Sequence, residues 1–551
     1  MLKFPYYMIL ERIKSNKTLF GIFFCAYMLF GIFFWNLCSS HYLYEKPDGL
    51  YSASNVWGDL PGHMALGSSF ALRGLSKTLN DNPVFSGTSV SYPFVPDYIS
   101  GLLMSLGASP RNAFLWPTFL AIMAFILCLW VVSFKITKSA IGSFFTPIIF
   151  LFGGSLWGLF YFISDYIREG KPLLYALLHQ STNYSYLKGA NVVFSNVISD
   201  FILPQRAFIF GLTIGLVAVY FLWRYWEGKT QRDLLIFSLV LCALPLVHLH
   251  TFISLGLIAF AMFCGEIILV YRKRAVLDMI VKRWLIYFGL PIIVLAAAQM
   301  WLIFPTDKSP GAHLGFFGEA NPIIFWFKNL LIYIPVFIAA YLVAPMRFRT
   351  FFNGAIFLFV VGNAVVFQPN AWDNTKFIVI FFLISCVMTA FLLEHLWKNG
   401  WLRRAASLCL IVLMIPVGVL VSIRELNSST RLFSRADMEL ADFIRRDTPK
   451  DSVFLTGLNH NNPVFSLAGR SVVQGYPGWI WSYGLDGSVR KTDMQKVYEN
   501  ARDAGAIINK YKISHIIVDA GASKSFKIDP LLKDTYETVY SSGSTLVLKT
   551  K

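Results

Sequence analysis

Charged side chains are scarce in this 551-residue sequence, at 14% of positions against 56% hydrophobic. Soluble domains carry roughly a quarter charged residues, so this composition excludes an ordinary soluble globular protein. Cysteine is sparse as well. Cys25, Cys38, Cys128, Cys242, Cys264, Cys386 and Cys409 all lie in or beside apolar stretches. That placement gives neither a disulfide framework nor a zinc site. Internal repeats and low-complexity segments are lacking. The first apolar stretch is full length and has no small-residue cleavage site, so it reads as a retained signal anchor. Acidic residues are outnumbered 31 to 48, for a net charge of +17. A basic surplus can mark a nucleic-acid binder, but its distribution here argues against one. From Leu426 onward there are 17 basic and 13 acidic residues, a surplus of 4, which leaves 13 among the apolar stretches. There the surplus is a topology signal.

What the sequence has in abundance is apolar blocks of roughly 20 residues, the length that crosses a bilayer core as a helix. Such blocks fall near 18–37, 112–134, 140–163, 206–223, 234–249, 251–271, 284–304, 323–344, 350–367, 376–396 and 405–424. The expected fold is an all-α polytopic membrane domain over 1–425, with about eleven spans. Lys and Arg concentrate in alternate connections: Lys3 to Lys17, Lys135 and Lys138, Arg224 to Arg232, Arg272 to Arg283, Arg347 and Arg349, and Lys398 to Arg404. By the positive-inside rule these face the cytoplasm. The N-terminus is then inside and the C-terminus outside, as in a plasma or inner membrane. The outside connections are longer, the first running from 38 to 111, and ordered loops of that length usually carry function. The tail, 430–551, reads as a small extracytoplasmic α/β domain. Ser434 caps a helix Arg435–Arg446, strand-like runs follow at Ser452–Leu455, Ser471–Gln474 and His515–Val518, and one helix covers Thr492–Lys510. A closing hairpin spans 535–548.

The most informative stretch is Val56-Trp57-Gly58-Asp59-Leu60-Pro61-Gly62-His63, about twenty residues beyond the first span. It is followed by Tyr92-Pro93-Phe94-Val95-Pro96-Asp97-Tyr98 and a short apolar segment before the second span. This layout resembles the GT-C superfamily of integral-membrane glycosyltransferases, on the plan of the protein O-mannosyltransferases and aminoarabinose transferases. In that superfamily the first outside loop carries an acidic residue of the active site. The resemblance implies an inverting transferase that takes its sugar from a polyprenyl-phosphate donor held in the membrane lipid. It also implies catalysis outside the cytoplasmic leaflet. Two departures stand out: Asp59 is followed by Leu60 rather than a second acid, and there is no sequon-binding motif of the oligosaccharyltransferase type.

A polyprenyl-phosphate sugar already has a good leaving group. The protein must activate an acceptor and stabilise the departing phosphate, tasks for a carboxylate base and for cationic donors. Asp59 is the candidate base, and His63, one helical turn on, is placed to orient it. Asp59 has another available duty, capping the helix that starts at Leu60. Arg206, Lys328 and Lys376, near the outer ends of spans, are candidate phosphate ligands, and snorkelling to the interface is the alternative for each. Asp97, Asp200, Gln205 and Asp373 are candidate assisting residues. Asp200 or Asp373 is also placed to hold a divalent cation, which some members of the superfamily use. His248 and His250 stand two apart, a spacing open to a metal, though a satisfied pair at a helix break is the plainer reading. The aromatic run Gly475–Gly484 is expected to dock on the membrane domain. The competing functional class is a secondary transporter or lipid-linked sugar flippase, which would gather its polar residues near the bilayer midplane.

Overall fold

The computed structural model describes residues 17–53, 55–303, 312–319 and 321–550. Lys3, Arg12, Lys14 and part of the 305–322 connection lie outside them. Apolar blocks become helices because a backbone surrounded by lipid must satisfy its polar groups within the segment. Six helices are long and apolar enough to cross a membrane: Lys17–His41, Pro110–Thr137, Arg206–Gly228, Leu249–Val270, Arg274–Ile303 and Ala371–Lys398. Three bent pairs raise the number to nine: Ala140–Phe152 with Leu156–Glu169 (55°), Pro322–Leu330 with Tyr333–Val343 (84°), and Trp401–Met414 with Pro416–Asn427 (43°). By length and composition, then, the described residues hold six such helices, or nine where each bent pair is one span. The expected span 234–249 is the helix Gln231–Leu241, of 11 residues. At 1.5 Å per residue it reaches roughly half of a ~30 Å hydrocarbon core. The expected span 350–367 is the helix Met346–Ala364, which has Arg347 and Arg349 in its first turn.

The bends are knitted to one another. Asn196 donates to the carbonyls of Leu151 and Gly153, both at 2.8 Å. The Tyr333 hydroxyl accepts from the Gly154 amide at 3.1 Å and donates to the Met414 carbonyl at 2.5 Å. Backbone groups released by two of the breaks are thus paired inside protein, the condition under which a broken helix is tolerated at membrane depth.

The connections sort to two ends of the bundle. At the basic end Lys135 pairs with Glu227 at 2.8 Å, Lys229 with Glu266, and Trp226 donates to the Arg347 carbonyl at 3.0 Å. At the other end lie the first connection, the 186–205 and 369–375 segments, and the tail. The tail is not a detached unit. Its strand Thr430–Ser434 joins the first-connection strands Tyr44–Lys46 and Gly49–Ser52 in one antiparallel sheet. A Cβ on Gly49 would overlap the Phe433 carbonyl, so this pairing requires glycine there. Farther on, a five-stranded sheet orders Ser471–Val472, Val453–Leu455, Ile513–Val518, Thr545–Lys549 and Glu537–Ser542. Its first three strands are parallel and its last two antiparallel. Ser434 caps the helix Arg435–Asp447 in a full capping box. The single helix expected over Thr492–Lys510 is two, Ser488–Glu499 and Gly505–Tyr511. Between them Asp529 takes the Ala501 amide at 3.0 Å, while its own amide goes to the Tyr498 carbonyl.

Candidate active site

Asp59 follows a short 3-10 turn, Val56–Gly58, and precedes the helix Leu60–Arg73. Pro61, in the first turn of that helix, loses no hydrogen bond there. Asp59 occupies the capping position, yet its carboxylate makes no capping hydrogen bond. Two neighbours pin the turn. Asn55 donates to the Asp200 carboxylate at 3.2 Å, and His460, from the tail, donates through Nε2 to the Gly58 carbonyl at 2.6 Å. The Asp59 carboxyl is therefore held in place by its backbone and stays available to others. Burial raises its pKa above the ordinary carboxyl value; the charges of His63, Lys376 and His460 oppose the shift and Asp373 adds to it.

His63 lies on the buried face of the helix and its Nδ1 meets the Asp97 carboxylate at 2.8 Å. The other Asp97 oxygen takes Nη1 of Arg206 at 3.1 Å. An alternating row results: Asp59, His63, Asp97, Arg206. Burial opposes a charge on His63, but the Asp97 carboxylate and then Asp59 outweigh it, and the imidazole pKa lies above its usual value. Arg206 is 0% exposed and Asp97 1%. The remaining guanidinium donors go to Thr118 Oγ1 at 3.0 Å, Ser100 Oγ at 2.6 Å and the Pro96 carbonyl at 3.5 Å, and the Phe114 ring covers the plane at 4.3 Å. Arg206, expected at a donor phosphate, directs its donors to internal partners here and is the counter-ion of buried Asp97.

Lys328 is tied to the connection before the helix Arg206–Gly228. Its Nζ donates to the Ala190 carbonyl at 3.0 Å, next to Asn329, whose side-chain oxygen accepts the amides of Val193 and Phe194. Lys376 is the cation that reaches the cluster. It pairs with Asp373 at 2.9 Å and lies within electrostatic reach of Asp59, His248 and His250. His248 accepts the Thr251 amide as a helix cap, and its ring stacks on His250 at 5.3 Å, between Phe208 and Phe377. Asp200 sits apart, bonded by Ser199 and Asn55, and burial pushes its carboxyl up to about 6. Gln205 donates to the Asp200 carbonyl at 3.2 Å. Among the described residues no three His, Cys, Asp or Glu side chains gather in a metal-holding group.

Sequence reasoning missed His460 and the Tyr92–Tyr483 contact, with rings 5.3 Å apart. Both phenols are pushed up, first by burial and then by nearby acidic groups that include Asp59. His460 sits in a polar Asn-His-Asn-Asn turn, which by itself signals only a loop. The aromatic run packs on the first connection. Trp479 covers Gly62, where a Cβ would lie 3.2 Å from the indole, and Gly475 donates to the Val84 carbonyl at 2.8 Å.

Two cavities lie on either side of the helix Pro322–Leu330. An apolar groove of about 750 Å³ runs between the bent pair 322–343 and the helix Met346–Ala364, lined by Ile334, Phe337, Ile338, Ile356 and Val360 among others. A smaller, polar cavity of about 310 Å³ lies at the end of the bundle opposite the basic connections. Trp326 lines the groove and packs edge-on against Phe325, which lines the polar cavity, so the two adjoin.

The fold is shared with solved membrane-protein structures, although not through sequence. No protein-family model matches the chain, and no curated protein matches it by sequence. Among solved structures the chain is similar to the oligosaccharyltransferase of Archaeoglobus fulgidus tethered to an acceptor peptide containing the NVT sequon. That match has 11% identity, covers 98% of this chain and 75% of that one, and has a TM-score of 0.54. The same protein in complex with zinc and sulfate is matched at 11% identity over 95% and 73% of the chains, with a TM-score of 0.50. ArnT from Cupriavidus metallidurans is matched at 10% identity over 97% and 98%, with a TM-score of 0.46. At these identities the likeness is one of fold.

Proposed function

We propose that this protein transfers a sugar from a polyprenyl-phosphate-linked donor to an acceptor at the extracytoplasmic face, with inversion at the anomeric carbon. Asp59 takes the proton of the acceptor nucleophile as its lone pair forms the bond to the anomeric carbon. The bond from that carbon to the donor's phosphate oxygen breaks, and polyprenyl phosphate leaves with the electron pair. Lys376 is the cation in reach of Asp59 and stabilises the charge that grows on the leaving phosphate. The row His63–Asp97–Arg206 positions the His63 imidazole beside Asp59, and His460 fixes the Gly58–Asp59 peptide.

The observation that carries this reading is Asp59 itself. Its carboxyl is partly buried, makes no cap, and lies among the charges of His63, Lys376 and His460 at the end of the bundle that holds the first connection and the tail. The adjoining apolar groove suits a hydrocarbon tail. A flippase would be expected to carry its polar cluster midway along the bundle, whereas this one sits at loops and outer helix ends.

The test offers purified protein a panel of polyprenyl-phosphate sugars and reads free polyprenyl phosphate. Release is expected from at least one donor, with Asp59→Asn lowering turnover by about 10²–10⁴-fold and leaving the melting temperature unchanged. Near-normal turnover in that variant would remove Asp59 from the chemistry. Movement of intact sugar-lipid across vesicles, without release of lipid phosphate, would replace the transferase by a flippase.

A further inference from the structure

The polar cavity is assembled from four separate parts of the chain. Tyr186 and Lys188 come from the connection before the helix Arg206–Gly228, and Glu319 from the connection before Pro322. Asn370 and Trp372 precede the helix Thr375–Lys398, and Trp481 belongs to the tail. Its walls are aromatic and its rim is polar. Trp372 is held edge-on by Tyr186 at 5.8 Å and by Phe317 at 6.1 Å. Trp481 is 54% exposed, an unusual state for a tryptophan of the docked tail. Lys188 and Glu319 pair at 2.9 Å across the rim, so the two charged side chains lining the cavity cancel.

These features select a ligand class. Cancelled charge disfavours a phosphate or another anion, which would call for surplus cations. The polar rim disfavours a hydrocarbon tail, which the neighbouring groove suits better. A ring with an apolar C–H face and a hydroxyl edge fits both walls, its face on the indoles and its edge on Asn370, Lys188 and Glu319. The volume stands at the small end of ligand sites, which run about 300–1,000 Å³, and fits one or two sugar rings rather than an extended glycan. The lining of the cavity also leads by chain toward the reacting centre. Trp372 precedes Asp373 and Trp481 lies two residues before Tyr483, and both Asp373 and Tyr483 are electrostatic neighbours of Asp59.

We infer that this cavity is a subsite for one or two neutral sugar rings, belonging to the donor or the acceptor beyond the atoms that react. The role rests on the transferase reading, but binding can be measured without turnover. Full-length protein is titrated with maltose, cellobiose, lactose and chitobiose, following tryptophan fluorescence and saturation-transfer NMR. At least one disaccharide is expected to saturate. Trp481→Ala should weaken it by about tenfold, the loss of one stacking face, Trp481→Phe should recover part of the loss, and Asp59→Asn should bind as wild type. Competition with the lipid donor would assign the subsite to the donor, and competition with the acceptor to the acceptor. Absence of saturation by every disaccharide, or saturation indifferent to Trp481→Ala, overturns the proposal. Turnover of a lipid donor alongside absent disaccharide binding would remove the subsite and leave the transferase. Disaccharide binding lost in Trp481→Ala, with no donor turned over, would do the reverse.

Discussion

Asp59 and Lys376 are set against each other in the titration of the site. Burial disfavours the Asp59 carboxylate, and Lys376 is among the charges that favour it. A base must be deprotonated to act, so kcat/KM should fall as pH drops through the Asp59 pKa, on an acid limb above the ordinary aspartate value of about 3.9. Removing the cation raises that pKa further, so Lys376→Gln should move the limb to higher pH. A limb that stays put or moves down would separate Lys376 from Asp59. Arg206 gives a different expectation. With Arg206→Gln, Asp97 is left as a buried carboxylate without its counter-ion, a loss of about 3–5 kcal/mol, read as a large fall in the unfolding midpoint in detergent. If the variant melts normally and only the KM for the donor rises, Arg206 belongs to the phosphate after all. Both residues were visible in the sequence as candidates, and so were His63, Asp97 and Asp373, because polar residues are rare in apolar surroundings. Their pairings were not. Arg206 finds Asp97 across 109 residues, and His460 finds Gly58 across 402. No local spacing encodes contacts of that range.

The elements show a similar division. Hydropathy locates apolar blocks well but is blind to direction, so each bent pair reads as one straight span. The breaks have chemical signatures: Gly153-Gly154 in the first and Pro416 in the third, the latter at a helix start where its missing amide costs nothing. The sequence does not reveal what makes those breaks tolerable, which is a partner on another helix. Tyr333 is that partner for Gly154 and Met414 together. Tyr333→Phe keeps the ring and leaves the buried Met414 carbonyl unpaired, at about 1–3 kcal/mol, together with the part-buried Gly154 amide. Thermal unfolding should show a clear loss. Tyr341→Phe, which removes only an exposed hydroxyl bond to Asn353, should show little. Equal melting of the two variants would mean that water or a backbone shift satisfies the breaks without Tyr333.

For the whole molecule, the sorting of connections to two ends ties topology to function. Lys135, Arg224, Lys229, Arg347 and Lys398 gather at one end, four of them in ion pairs with acids near the helix ends there. The first connection, the Asp59 cluster and the tail share the other end. The positive-inside rule acts on Lys and Arg in short connections near span ends, and the basic end meets that description in connection after connection. The tail cannot lie on the opposite side from Asp59, because Thr430–Ser434 is a strand of the first connection's sheet and His460 bonds to Gly58. One measurement therefore fixes the side of both. A reporter active only in the cytoplasm, fused after Lys551, should be silent, while a reporter active only outside should give full signal at equal expression. The reverse pattern would put Asp59 on the cytoplasmic side, where a donor displayed on the outer leaflet is out of reach, and the assigned direction of transfer would fall with the topology.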